Sequence, residues 1–142
     1  MRLYLDTSAL LKIFLTEEGS PVVIDLAGAA ESVATSRVGY TEARSGLARA
    51  RRNERIDSAV YADILSQFED FWRNVMPVDV TEPVVRLAGD FAELHALRGF
   101  DAIHLASAVT LQRALDEPVH FAAADDRLVA AAVASGLLNT GA

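Results

Sequence analysis

The 142-residue chain contains no cysteine. That absence removes disulfide frameworks, thiolate zinc sites and cysteine nucleophiles together. Histidine is scarce as well: His95, His104 and His120 are scattered and make no His-Glu-x-x-His pattern, so a zinc hydrolase finds no support. Any metal must be held by oxygen or imidazole, and carboxylates are the expected ligands. No Gly-rich Walker loop or dinucleotide fingerprint is present. No run of about 18 apolar residues occurs, and the N-terminus enters a strand-like segment without the charged and apolar regions of a signal peptide. A soluble, cytoplasmic protein with no membrane segment is expected.

What is present is an apolar content of 51%, enough for one substantial core, and a single domain over residues 1–142 is expected. Twenty acidic residues face thirteen basic ones, a net charge of -7. That balance argues against coating long nucleic acid by charge alone, yet it leaves room for an acidic cluster with a local basic patch. Basic character is indeed local, with Arg44, Arg49, Arg51, Arg52 and Arg55 in one short stretch. They complement the negative end of a helix on one reading and track a polyanion on the other.

Strands and helices alternate along the chain. Residues 2–5 read as a strand ending at Asp6, and Thr7-Ser8 as the cap of a helix through Leu10, Leu11 and Phe14. Ser20-Pro21 opens a second helix, residues 32–35 form a second strand, and Tyr40, Ala43, Leu47 and Ala50 repeat at helical spacing until Asn53. The aromatic stripe of 57–75, with Phe68, Phe71 and Trp72, reads as core, with a dimer face as the alternative. A third strand at 77–80 precedes a helix opened by Thr81. Arg98-Gly99-Phe100 breaks that helix, Asp101 begins the next, a fourth strand covers 118–123, and a last helix covers 128–134. Leu137-Leu138 is a candidate fifth strand. The pattern predicts an α/β fold of three layers, α/β/α, around a parallel sheet of four to five strands, with ligands at the carboxyl ends of the strands.

Asp6 and Asp125 each lie just past an apolar strand and just before a helix, so both face one edge of that sheet. Glu42 and Asp101 lie near helix starts and can converge there too. Singly, each has an ordinary explanation as a cap or a partner of the helix dipole. Together they would repel one another without a cation. Oxygen-only ligands select Mg²⁺ or Mn²⁺, ions suited to phosphate substrates, and phosphodiester hydrolysis by metal-activated water needs neither a serine nucleophile nor a histidine base. A phosphohydrolase of the haloacid dehalogenase type would carry an acid where Ser8 stands, and a receiver domain would need a lysine beyond Lys12.

The segments Leu5-Asp6-Thr7-Ser8-Ala9-Leu10, Tyr40-Thr41-Glu42-Ala43, Gly99-Phe100-Asp101-Ala102-Ile103-His104-Leu105-Ala106-Ser107-Ala108 and Asp125-Asp126-Arg127-Leu128 resemble, in order and spacing, the successive motifs of PIN-domain ribonucleases, especially the VapC toxins of type II toxin-antitoxin pairs. The resemblance spans essentially the whole chain. It implies an Mg²⁺-dependent endoribonuclease in which Asp6, Glu42, Asp101 and Asp125 are the catalytic, metal-associated acids. Ser8 would stand beside them, and His104 would be a packing residue; Arg98, read from its position, either orients RNA phosphate or complements the end of the preceding helix. The family often carries Thr and an aromatic before the fourth acid, whereas this chain has Ala123 and Ala124, which leaves Asp126 as an alternative to Asp125. A homodimer restrained by a small antitoxin is implied as well, the antitoxin placing an Arg among Asp6, Glu42 and Asp101 and a helix near Leu11, Phe14 and Leu15. A PIN-like domain that binds RNA or protein without cutting is the competing reading.

Overall fold

A computed structural model describes residues 1–142. Its elements in chain order are β1 (Arg2–Leu5), α1 (Thr7–Phe14), α2 (Ser20–Ala29), β2 (Ser32–Ser36), α3 (Val38–Arg52), α4 (Ser58–Trp72), β3 (Met76–Val78), α5 (Glu82–His95), α6 (Gly99–Leu115), β4 (Val119–Ala122), α7 (Asp126–Ala134) and β5 (Leu138–Asn139). The five strands form one sheet in the order β3-β2-β1-β4-β5, and every pairing is parallel. The expected three-layer architecture and strand count are what the chain adopts.

Strand alternation divides the core. Tyr4 and Phe121 point to one face, where they pack with Leu105, Val109 and Leu128 from α6 and α7. Leu3, Leu5 and Ala122 point to the other, against Leu10 of α1, Leu47 of α3 and Phe68 of α4. Being covered on both sides explains why the strands read as apolar runs. No helix is long and apolar enough to cross a membrane.

The central strand sets the location of the site. The chain builds outward from β1 through β2 to β3, then returns to pair β4 on the opposite side of β1, with Leu5 level with Ala122. That reversal is a topological switch point, and a crevice opens there beyond the carboxyl ends of β1 and β4. The Asp6 amide continues the ladder by donating to the Ala122 carbonyl at 3.1 Å.

The strands after β1 shift by a residue or two from the sequence reading, and three helix starts that bear on the site differ for local reasons. Asp6 itself caps α1, accepting from the Ala9 amide, where Thr7-Ser8 had been expected to do so. Asp125 likewise caps α7, which therefore starts two residues earlier than its apolar pattern. Helix α6 starts at Gly99, because the Arg98 carbonyl already accepts from the Ala102 amide, so Asp101 lies in its first turn rather than at its start.

The aromatic stripe of α4 belongs to the core. Phe68 is fully buried and its ring meets those of Phe14, Tyr40 and Trp72 at centroid distances of 5.4, 5.6 and 6.1 Å. Phe68→Ala should therefore cost about 3–5 kcal/mol in urea denaturation. A loss below about 1 kcal/mol would place the stripe on a surface instead.

Candidate active site

Four acids come together at the switch point. Asp6 is only 4% exposed, and its Oδ1 accepts from the Ser8 hydroxyl at 2.7 Å and the Ala9 amide at 2.9 Å. Glu42, in the second turn of α3, accepts at Oε1 from the Thr7 hydroxyl at 2.6 Å and from His104 Nε2 at 2.9 Å. Asp125 accepts at Oδ1 from the amides of Arg127 and Leu128, at 2.8 and 3.3 Å. In each of these three, one carboxylate oxygen is fixed by the protein and the other carries no hydrogen bond. Asp101 makes no side-chain hydrogen bond at all, so both its oxygens are uncommitted.

The charges feel one another. Burial pushes Asp6 above the ordinary carboxyl value, hydrogen bonds from Ala9 and Ser8 oppose that shift, and Asp101 adds to it. Burial also raises Asp101, and Asp125 and Glu42 raise it further, against His104 and Arg98. Asp101 is thus coupled to each of the others: Asp125 and Glu42 raise it, and it raises Asp6. Glu42 moves the other way: burial works against its charge, but the bonds from His104 and Thr7 outweigh it and hold the carboxyl below its usual value. Asp101 and Asp125 line a cleft of about 340 Å³ together with Arg98, Arg127, Ala96 and Leu97. Asp126 does not line it. A second cleft, of about 350 Å³, lies between α1, α2 and the loop after β4 and is lined by Ala9, Lys12, Val23 and Ala124 among others. It is mostly apolar and holds none of the four acids.

The donor set is chemically right for a hard divalent cation: four carboxylates, no sulfur, and free oxygens on every member. As the side chains stand, no three of them close into a ready-made metal cage. The acids are neighbours at one edge, close enough for Asp101 to be coupled electrostatically to Asp6, Glu42 and Asp125.

The remaining expected residues are placed as follows. The Ser8 hydroxyl is engaged twice, donating to Asp6 and accepting from the Ala124 amide at 3.0 Å, so it ties α1 to the loop after β4. Arg98 is exposed at the cleft with no ion-pair partner. Of the arginine run, Arg44 bonds Tyr40 and Glu69, Arg55 pairs with Glu17, and Arg51 lies over the Tyr61 ring. Most of that run is therefore spent on packing. Leu15 is buried and Phe14 meets Phe68 and Phe71 edge-on, so the segment expected to receive an antitoxin helix is largely core; the exposed apolar side chains nearby in the chain are Val22 and Ile24 of α2.

His104 is the residue the sequence reading undervalued. It is 2% exposed, as a packing residue would be, yet both ring nitrogens are bonded: Nδ1 to the Tyr4 hydroxyl at 2.8 Å, and Nε2 to Glu42 and, at 3.1 Å, to Thr7. The three-residue step from Asp101 put both on one helix face, a signal available in the sequence. Its partners on β1, α1 and α3 were not.

Comparison with known proteins agrees with this architecture. Residues 3–134 match the PIN domain family. The chain is 42% identical over 108 residues to Ribonuclease VapC45 of Mycobacterium tuberculosis, covering 76% of this chain and 75% of that protein. Among solved structures it is similar to M. tuberculosis VapC20, described as a sarcin-ricin loop cleaving toxin, with a TM-score of 0.65, 16% identity and 96% of each chain covered. It is similar as well to VapBC2 from Rickettsia felis bound to a DNA fragment from their promoter, with a TM-score of 0.64, 12% identity, and 98% and 97% covered. With the family matched from β1 to the end of α7, this chain belongs to the PIN-domain family and stands among its VapC members.

Proposed function

We propose that this protein is an Mg²⁺- or Mn²⁺-dependent endoribonuclease, the toxin of a type II toxin-antitoxin module. The observation that carries the reading is the state of the four acids: one oxygen of Asp6, Glu42 and Asp125 is held by the protein and the other is free, with Asp101 unbonded among them. Carboxylates fixed in this way are oriented ligands, and their mutual repulsion is relieved by a cation.

Asp6 and Asp101 would be the principal ligands, with Glu42 and Asp125 completing the set. A bound ion would supply Lewis acidity toward phosphate and a lowered pKa for the attacking water. The chain's own residues do the rest. The Ser8 and Ala9 donors hold Asp6 in register with the sheet, and Ser8 fixes the neighbouring loop at Ala124, which keeps Asp125 within reach of Asp101. Arg98 and Arg127, which line the same cleft, would bind RNA phosphates and offset the acids' repulsion of a polyanion. A single strand or loop fits such an open cleft better than a duplex. As for partners, the likeness to VapBC2 supports a small antitoxin, and we assign it an acidic cleft to neutralise with an Arg and a homodimer to bind.

The purified protein should cleave single-stranded or looped RNA only with Mg²⁺ or Mn²⁺, leaving 5′-phosphate and 3′-hydroxyl ends; undiminished cleavage in excess chelator, or 2′,3′-cyclic phosphate products, would overturn the mechanism. A folded protein that binds RNA and never cuts it with either ion would favour the non-catalytic reading.

Asp6→Asn and Asp101→Asn should each lower activity by about a hundredfold or more. Both carboxyls are raised above the ordinary value of 3.8. The folded chain therefore holds more protons than the unfolded one just above that value, and stability is lost as pH rises through the window. Metal-free melting of Asp101→Asn should then be at or above wild type at pH 7 and flatter in its pH dependence, and Asn can still cap α1 at position 6. Activity that merely tracked the folded fraction would make these acids structural.

Side-by-side kinetics should show a larger loss for Asp125→Asn than for Asp126→Asn, since only Asp125 lines the cleft with Asp101. Equal or reversed losses would transfer the fourth-acid role to Asp126.

A further inference from the structure

Behind the four acids, Tyr4, His104 and Thr7 form a hydrogen-bonded chain that ends on one of them, Glu42. Tyr4 is 0% exposed in the middle of the sheet, its ring stacked on Phe121 at 5.5 Å and edge-on to His104 at 5.9 Å. Burying a phenol between apolar rings is costly unless its hydroxyl finds a partner. The partner is His104 Nδ1 at 2.8 Å. Burial also pushes the Tyr4 pKa upward, which keeps the phenolic proton in place as a donor.

Fixing one ring nitrogen fixes the other. If Tyr4 donates to Nδ1, that nitrogen presents its lone pair and the ring proton resides on Nε2. Nε2–H then points at Glu42 Oε1 at 2.9 Å, with the Thr7 oxygen at 3.1 Å sharing it, while the Thr7 hydroxyl donates its own proton to the same Oε1 at 2.6 Å. Two donors from α6 and α1 thus hold one oxygen of an acid carried by α3. The reverse tautomer would set a nitrogen lone pair against the carboxylate. The imidazole leaves no face for an ion or a substrate, since both nitrogens are spent inside the protein.

We propose that His104 is a positioning residue: set in its Nε2–H form by Tyr4, it acts with Thr7 to clamp Glu42 Oε1 and aim the free Oε2 at the cation site beside Asp101. This rests on the metal-dependent reading above. It also explains why Asp101 and His104 occupy adjacent turns of one helix: α6 contributes one acid directly and orients a second acid from another element. A histidine that only filled space would need none of these three bonds, and Leu of similar bulk would replace it.

The test uses full-length protein with Mn²⁺ titrated calorimetrically, ¹⁵N NMR of the imidazole in the metal-free state, and kinetics on an RNA substrate. The metal-free spectrum should report the Nε2–H tautomer in wild type and a mixture in Tyr4→Phe. Mn²⁺ affinity should fall about 10–100-fold in His104→Leu and in Thr7→Val, the range for contacts that orient a ligand. His104→Gln, whose amide N–H can still donate to Oε1, should recover part of that loss, with kcat reduced and KM for RNA near wild type. Where His104→Leu does not fold, Thr7→Val and Tyr4→Phe carry the same comparison. An Nδ1–H tautomer or a doubly protonated ring in wild type, or wild-type Mn²⁺ affinity in Thr7→Val and, where it folds, in His104→Leu, would overturn the positioning role while leaving the nuclease reading intact. Absence of any Mn²⁺ binding by the wild-type chain would overturn the metal reading and this inference together.

Discussion

Burying the carboxylate of Asp6 is the constraint around which the rest is arranged. A charged group that is 4% exposed must be compensated, and two donors to one oxygen supply part of the compensation. Its position follows from the sheet: Asp6 is the first residue after the central strand, its amide still in the ladder to Ala122, its side chain already capping α1. One residue therefore ends a strand, starts a helix and opens the acidic edge. Every other acid in the group is placed relative to it by an element that packs on β1 or on its neighbours.

The arrangement separates the two oxygens of a carboxylate into different tasks. For Asp6, Glu42 and Asp125 the inner oxygen answers to hydroxyl, imidazole or amide donors, which settles orientation before any ligand arrives. Orientation achieved in this way limits the entropy lost on binding, at the cost of repulsion among the free oxygens. Asp101, without such an anchor, is the acid left free to adjust. On the proposed reading a negative chain that acts on a negative polymer also needs local relief, and Arg98, unpaired at the cleft, is freer to supply it than the arginine run of 44–55, most of which is engaged by Tyr40, Tyr61, Glu69 and Glu17.

Much of this was legible in the sequence. Apolar runs of four residues between helical repeats declared a parallel sheet covered on both faces, and the placement of Asp6 and Asp125 after two of those runs put them at one edge. Phe68, Phe71 and Trp72 declared a core stripe. What resisted reading was contact between distant segments. Asp6 was read as a strand terminus and not as the cap of α1, because Thr7 and Ser8 are equally good capping residues and only backbone geometry decides among them. His104 gave the period of a packed helix position, and nothing in its neighbourhood in sequence announced Tyr4, Thr7 or Glu42. Arg98 and Gly99 looked like a break, yet the turn they make is the first turn of α6.

The placement of β1 between β2 and β4 has a consequence for synthesis. Its partner on one side is made about 30 residues later, whereas β4 follows only after residue 118, so the ladder through Ala122 closes a loop of more than a hundred residues. Contacts of such long range are slow to form. Asp6 is made more than a hundred residues before Asp125, and a nascent chain interrupted anywhere before α7 holds an incomplete set of carboxylates. Assembly order thus delays completion of the acidic edge until α7 has been made.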